Sequence, residues 1–149
     1  RNHHTEPASH SRLDELQAAV LRARLPHLRD WTTRRRALAG RYRAGLVGSV
    51  VSVPPELDAG HVYHLFPIRT AARDALRAHL RAQDIDTLVH FPVPMPAQPA
   101  FASVSPQPCP LADAVCGELV SLPLYPGLDD RAVDRVLAAV ADWPGPDRD

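Results

Sequence analysis

Three imidazoles and one phenol fall in two short runs, "HVYHLFPIR" (61–69) and "IDTLVHF" (85–91). The first carries His61, Tyr63 and His64, the second His90. Imidazole changes charge near neutral pH, so two positioned histidines beside a phenol can shuttle protons without a cofactor. If the two runs are neighbouring strands, His64, His90 and Tyr63 line one pocket, and these three are the candidate catalytic residues. A metal site is not expected. His61 and His64 are three apart, a spacing that sends them to opposite faces of a strand. The plainer alternative for each histidine is a structural place in a hydrogen-bond network.

The second chemical feature is an absence. All 17 residues counted as Lys or Arg are arginine, so the chain has no lysine. No side chain here can form a Schiff base with a carbonyl compound. The formal net charge is zero, which offers no basic excess for nucleic acid and no acidic excess for a cationic partner. No apolar run approaches the ~20 residues of a membrane span, and no signal peptide is recognisable. Cys109 and Cys116 lack a CxxC spacing. On one helix they would sit about 10 Å apart, out of disulfide reach, which fits two reduced thiols in the cytoplasm.

The 149 residues suit one domain, able to bury roughly 70% of its unfolded surface. Residues 1–10 read as an arm. Ser11 and Asp14 resemble a capping box, after which Leu13, Leu16, Val20 and Leu21 repeat at helical spacing. Pro26 interrupts, and a second helix is expected over 27–46 with Leu28, Trp31, Leu38 and Tyr42 on its apolar side. The triplet Arg34–Arg36 reads as a solvated face rather than a phosphate site. A strand over 61–69, with Pro67 favouring an edge or a bulge, leads to a helix capped by Thr70 and then to a second strand over 85–91. Strand, helix and strand could form a βαβ unit. The proline-crowded stretch 92–110 is expected to be an ordered loop anchored by Phe91, Met95 and Phe101. A short helix over 111–119, an extended "LVSLPLYP", and a last helix capped by Asp129 follow. The last helix carries Val133, Val136, Leu137, Val140 and Trp143 on one face. No internal repeat is evident. The expected fold is α/β: a two-layer sandwich, with an N-terminal helical hairpin and a small sheet of about three strands packed by helices. The expected divisions are an arm at 1–10, the domain at 11–143 and a tail at 144–149.

Five ordered blocks carry a family resemblance: "SRLDELQAAVLRARLPHL", "WTTRRRALAGRYRAGL", "HVYHLFPIR", "IDTLVHFPVPMPAQPAF" and "LVSLPLYPGLDDRAVDRV". Together they resemble the C-terminal, small domain of the DegT/StrS-like nucleotide-sugar aminotransferases, a branch of the fold-type I pyridoxal phosphate enzymes. The opening "RNHH" is similar to the family's Arg-Asn-His-Gly. The resemblance implies a preceding large domain that carries the cofactor lysine, the acid partner of the pyridine nitrogen and most of the phosphate cup.

Carried over by position, His10, Ser11 and Arg12 fall on the element near the cofactor phosphate, with His10 where the family has Asn. Tyr63, His64, His90 and Gln98 fall on matched positions. Pro96, Asp84 and Phe91 replace the family's His, Gly and Tyr. Gln98, Phe91 and Met95 are the candidate substrate-binding residues.

Three functions follow as expectations. The first is a stand-alone small domain, not itself a transaminase, repurposed in natural-product biosynthesis for cofactor-independent cyclisation, isomerisation or dehydration of a small-molecule substrate. The second is a non-catalytic partner of a full-length aminotransferase. The third is a piece of an intact pyridoxal phosphate-dependent sugar aminotransferase, consistent with Arg1 in place of Met. The chain alone is expected to hold no cofactor; pyridoxal phosphate would enter only with the large domain. An apolar face left bare is expected to drive homodimerisation or association with a homologue.

Overall fold

The computed structural model describes residues 5–6, 13–104 and 107–146. Two short strands form an antiparallel sheet, β1 (Phe66–Arg69) and β2 (Leu119–Leu122), with Phe66 opposite Leu122 and Ile68 opposite Val120. Among the described residues five α-helices accompany them: α1 (Glu15–Arg24), α2 (Leu28–Gly45), α3 (Arg73–Arg81), α4 (Pro110–Glu118) and α5 (Asp130–Ala141).

The period of two along each strand explains which face is covered. Phe66, Ile68, Val120 and Leu122 are all buried on one face. They meet Leu38, Ala39 and Tyr42 of α2, Leu76 and Leu80 of α3, and Val133, Val136 and Val140 of α5. The expected apolar face of α5 is therefore the one that packs, with Trp143 buried beyond its end and Leu137 half-covered. Asp129 caps it as the sequence requires, its carboxylate accepting the Ala132 N–H at 2.6 Å. Tyr42 anchors the centre. Its ring lies 5.0 Å from that of Phe66, and its hydroxyl donates to the Pro123 carbonyl at 3.0 Å.

The sheet is narrower than expected. Of the three expected strands, 61–69 survives only as Phe66–Arg69, and 85–91 is reduced to a single antiparallel bridge between Leu88 and Ser121. A second bridge joins Ser52 to Arg69 on the opposite flank. Because β1 and the Leu88 segment both run antiparallel to β2, they are parallel to each other with β2 between them. The strand–helix–strand unit is thus split rather than adjacent. Local chemistry limits the third strand. Asp84 enters it in the left-handed region, φ 58°. Pro92 and Pro94 leave it without backbone donors. Asp84 is the position where the resemblance placed glycine, the residue such a φ favours. Pro67 faces Ser121, whose N–H and carbonyl both serve Leu88, so its missing N–H costs the β1–β2 ladder nothing.

The helical hairpin is not formed. Residues Leu25–His27 make a 3-10 turn whose flanking residues stay right-handed helical, so α1 runs on into α2 without reversal. Pro26 sits at the start of that turn, where a helix needs no N–H from it. The N-cap of α1 is Asp14, accepting from Leu16 N–H at 3.0 Å. Ser11 lies outside the described residues. The expected stripe Leu13, Leu16, Val20 and Leu21 is exposed throughout, and so is Leu28. Trp31 is half-buried, with the Arg24 guanidinium 5.1 Å over its ring. Thr70 does not cap α3 directly; its hydroxyl oxygen accepts from Ala72 N–H at 3.3 Å.

Arg34–Arg36 is a set of clasps rather than a solvated face. Arg34 donates to the Leu128 carbonyl at 2.7 Å and to Asp130 at 2.8 Å. Arg36 donates to the His61 carbonyl at 2.9 Å. Arg35 Nη1 shares its hydrogens among the carbonyls of Tyr63, His64 and Leu124 at 3.1, 3.2 and 3.2 Å. Arg35→Met, which keeps much of the stem but removes the donors, is expected to lower unfolding free energy by about 1–3 kcal/mol in urea titrations. Arg29→Met, on an exposed site, is expected to change it by no more than about 0.5 kcal/mol.

Burial, and secondarily the nearby Tyr125, pushes the Tyr42 hydroxyl well above the ordinary tyrosine range. A group whose folded value is raised keeps its full contribution below the unfolded value and loses it as pH climbs toward the folded one. With no lysine to titrate, stability is expected to fall as pH rises past about 10. In Tyr42→Phe that fall is expected to shrink, as read by urea denaturation at about pH 8 and about pH 11.

Candidate functional site

The segment before β1 is not a strand. Tyr63 takes φ 50°, a left-handed conformation that L residues adopt at a cost. The alternation argument for His61 and His64 therefore does not apply. Tyr63 is held at each polar atom. Its N–H donates to His61 Nδ1 at 3.0 Å, its carbonyl accepts from Arg35, and its hydroxyl meets the Glu56 carboxylate. Arg43 Nε donates to the same hydroxyl at 3.1 Å and Arg43 Nη2 to the Pro54 carbonyl at 2.8 Å. The His61 and Tyr63 rings are 4.3 Å apart. Burial first, then the Glu56 contact, raises the Tyr63 hydroxyl above its usual value, with Arg43 opposing.

Tyr63 and His61 border a hollow of only about 60 Å³ with Arg43 and Pro54. His90 lies elsewhere, half-buried on a larger hollow of about 660 Å³ beside β2. Its Nδ1 is 3.2 Å from Ser121 Oγ. Arg77 and Arg81 of α3, Thr87 and Tyr125 also line that hollow. His64 is exposed and lines neither; its carbonyl is what Arg35 holds. The structure does not bring His64, His90 and Tyr63 into one hollow, so a cofactor-free proton-shuttle pocket is not assembled from them here.

Among the described residues of the proline-rich stretch, short 3-10 turns form at Met95–Ala97 and Pro99–Val104, but the anchors differ from expectation. Phe91 and Met95 are exposed and Phe101 is half-buried. The buried residue is Gln98, whose side-chain amide donates to the Val93 carbonyl at 3.4 Å. Phe91 and Met95 are thus presented outward from a loop that Gln98 tethers. His10, Ser11 and Arg12 lie outside the described residues. Among the described residues, no cluster of three or more His, Cys, Asp or Glu side chains is placed to hold a metal ion. Cys109 and Cys116 are free thiols, and among the described residues no helix is long and apolar enough to cross a membrane.

Sequence reasoning missed Ser121, the arginine clasps and the α3 arginines. Ser121 carried a signal: it sits between Val120 and Leu122 in β2, where a polar residue on the alternate face of a covered sheet needs a partner.

The architecture is part of an aminotransferase fold. The crystal structure of Streptomyces venezuelae DesV in complex with a ketimine intermediate superposes with a TM-score of 0.81 at 45% identity. The match covers 89% of this chain and 37% of that one. The chain belongs to the DegT/DnrJ/EryC1/StrS aminotransferase family, whose model matches residues 1–141. The dTDP-3-amino-3,4,6-trideoxy-alpha-D-glucose transaminase of S. venezuelae is 45% identical over 147 residues, covering 94% of this chain and 38% of that protein. The erythromycin biosynthesis sensory transduction protein EryC1 of Saccharopolyspora erythraea is 40% identical over 141 residues, covering 92% and 38% respectively. The chain therefore spans about 38% of the length of these curated relatives.

Pyridoxal phosphate, the cofactor this family implies, is tethered through a lysine amine, and this chain has no lysine. The residues present do not fit the cofactor by themselves.

Tyr63→Phe removes a hydroxyl that joins Glu56 to Arg43 in a covered setting. We expect a loss of about 1–2 kcal/mol in urea unfolding, and a smaller further loss when Glu56→Gln is added, since the two act as one unit.

Proposed function

We propose that this chain is the small domain of a pyridoxal phosphate-dependent transaminase acting on a nucleotide-linked sugar in natural-product biosynthesis. It works against a larger, lysine-bearing domain that supplies the cofactor tether. The observation that carries this reading is 45% identity to a dTDP-amino-sugar transaminase across only 38% of that protein, in a chain without lysine. The chain's own share is to cover and orient substrate. Phe91 and Met95 offer exposed apolar contact, and His90 offers a hydrogen-bonding group from the floor beside β2.

The exposed row Leu13, Leu16, Val20, Leu21 and Leu25 on and around α1 supports the same reading. A helix with no buried residue of its own gains its stability by docking. Its partner is the larger domain or a second subunit.

The decisive experiment places this chain in the corresponding region of the S. venezuelae transaminase. The chimera is expected to transfer an amino group to a nucleotide-linked keto-sugar, and the 149-residue chain alone is expected to transfer none. Turnover by the chain alone, or a folded chimera without turnover, would overturn the reading.

A further inference from the structure

Among the described residues two that are not glycine take a left-handed φ, and of these Tyr63 is buried while Asp84 is exposed. A bulky side chain keeps that conformation only where its surroundings impose it. Arg35 of α2 holds the carbonyl of Tyr63, and Glu56 and Arg43 hold its hydroxyl. The amide rests on one contact, the donation of the Tyr63 N–H to His61 Nδ1 at 3.0 Å.

A backbone N–H can only donate, so His61 Nδ1 must carry a lone pair and the ring proton must sit on Nε2. The contact itself therefore sets the tautomer. A doubly protonated imidazole has no acceptor left and would turn a second N–H toward that of Tyr63. Imidazole makes this change near neutral pH, and the His61 side chain is exposed to solvent protons.

The charged groups around the ring come from two elements. α2 contributes Arg36, whose Nε donates to the His61 carbonyl at 2.9 Å, and Arg43, which borders the same small hollow as His61. The segment before His61 contributes Glu56 and Asp58. Glu56 meets the Tyr63 hydroxyl and lies 3.8 Å from Arg43. The Asp58 carboxylate accepts the Gly60 N–H at 2.7 Å. Two guanidiniums thus oppose a new positive charge on the ring, and both carboxylates are already engaged.

We propose that His61 is an acid-sensitive latch on the turn that leads into β1. With the ring neutral, Nδ1 holds the Tyr63 N–H and the turn keeps its left-handed form. With the ring protonated, that bond is lost and the segment before β1 loosens, while the β1–β2 ladder stays paired. The latched form excludes the second ring proton, so it is favoured as pH rises and gives way as pH falls through the imidazole range. Leu65, two residues past Tyr63, walls both the small hollow and the larger one beside β2, so loosening the turn alters a wall that the two share. The latch needs neither a ligand nor a larger domain, so it stands or falls apart from the transaminase reading.

The test follows the isotopically labelled 149-residue chain by NMR at about pH 8 and about pH 5.5. The His61 ring nitrogens report the tautomer. Exchange of the Tyr63 amide, divided into the rate of an unstructured peptide at the same pH, reports the latch. The Arg69 N–H, bonded to the Ser52 carbonyl at 2.8 Å, is the reference for an intact fold. At the higher pH, His61 is expected as the Nε2–H tautomer with the Tyr63 amide protected. At the lower pH, Tyr63 protection is expected to drop about tenfold with Arg69 unchanged. An Asn side chain can accept the N–H two residues on and does not titrate. His61→Asn is therefore expected to stay protected at both pH values, and His61→Ala at neither. An Nδ1–H tautomer at the higher pH would overturn the proposal, as would Tyr63 protection that ignores pH or falls together with that of Arg69. An equal drop in His61→Asn would assign the change to another group and overturn it too. If His61→Asn does not fold, the midpoints of the His61 ring titration and of Tyr63 protection decide the matter, coincidence supporting the latch and separation refuting it.

Discussion

Backbone carbonyls outside regular structure need donors, and in this protein α2 supplies them through arginine. The segments carrying His61, Tyr63, His64, Leu124 and Leu128 belong to no helix or ladder, yet each presents a carbonyl to Arg34, Arg35 or Arg36. Arg43 does the same for Pro54 and also holds the Tyr63 hydroxyl. A guanidinium carries five N–H groups in a fixed plane, so one side chain can serve several acceptors at once. Without this row, the left-handed turn at Tyr63 would lose the bond that offsets its strain.

The same economy shapes the sheet. Two strands of four residues are too little to stand alone. They persist because α2, α3 and α5 cover one face and single bridges at Ser52 and Leu88 extend the ladder on both flanks. The insertion of β2 between β1 and the Leu88 segment has a chemical outcome. It sets Ser121 beside His90, from a part of the chain 31 residues away. The hollow there arises from this split topology, since its walls come from α3, the Leu88 segment and the end of β2.

Family membership and partial coverage together define what the chain lacks as well as what it has. It carries the helices, the short sheet and the proline-rich loop of an aminotransferase small domain, but no amine for the cofactor. Several large apolar residues are exposed, among them the α1 row, and Phe91 and Met95 on the loop. Phe91 and Met95 are outward-facing because Gln98, not an apolar residue, ties the loop down.

Much of the frame was legible in the residues alone. Leu76, Leu80, Val133, Val136 and Val140 repeat at helical spacing and are buried, and Asp129 caps as its type requires. These follow from short-range rules of period and capping. The absence of lysine, and what it denies the chain chemically, needed no structure. The α1 stripe was legible as amphipathic, but not that its apolar side would be bare in this chain, because burial depends on what else is present. Strand pairing was not legible either. Whether 85–91 lies beside β1 or beyond β2 is a choice among non-local partners, and no local pattern encodes it. Nor did the arginine triplet announce its acceptors, since a carbonyl has no signature in a side-chain sequence. Only the packed chain decided that Tyr63 belongs with Glu56 and Arg43, and His90 with Ser121, because those contacts exist only after distant segments are brought within hydrogen-bond reach.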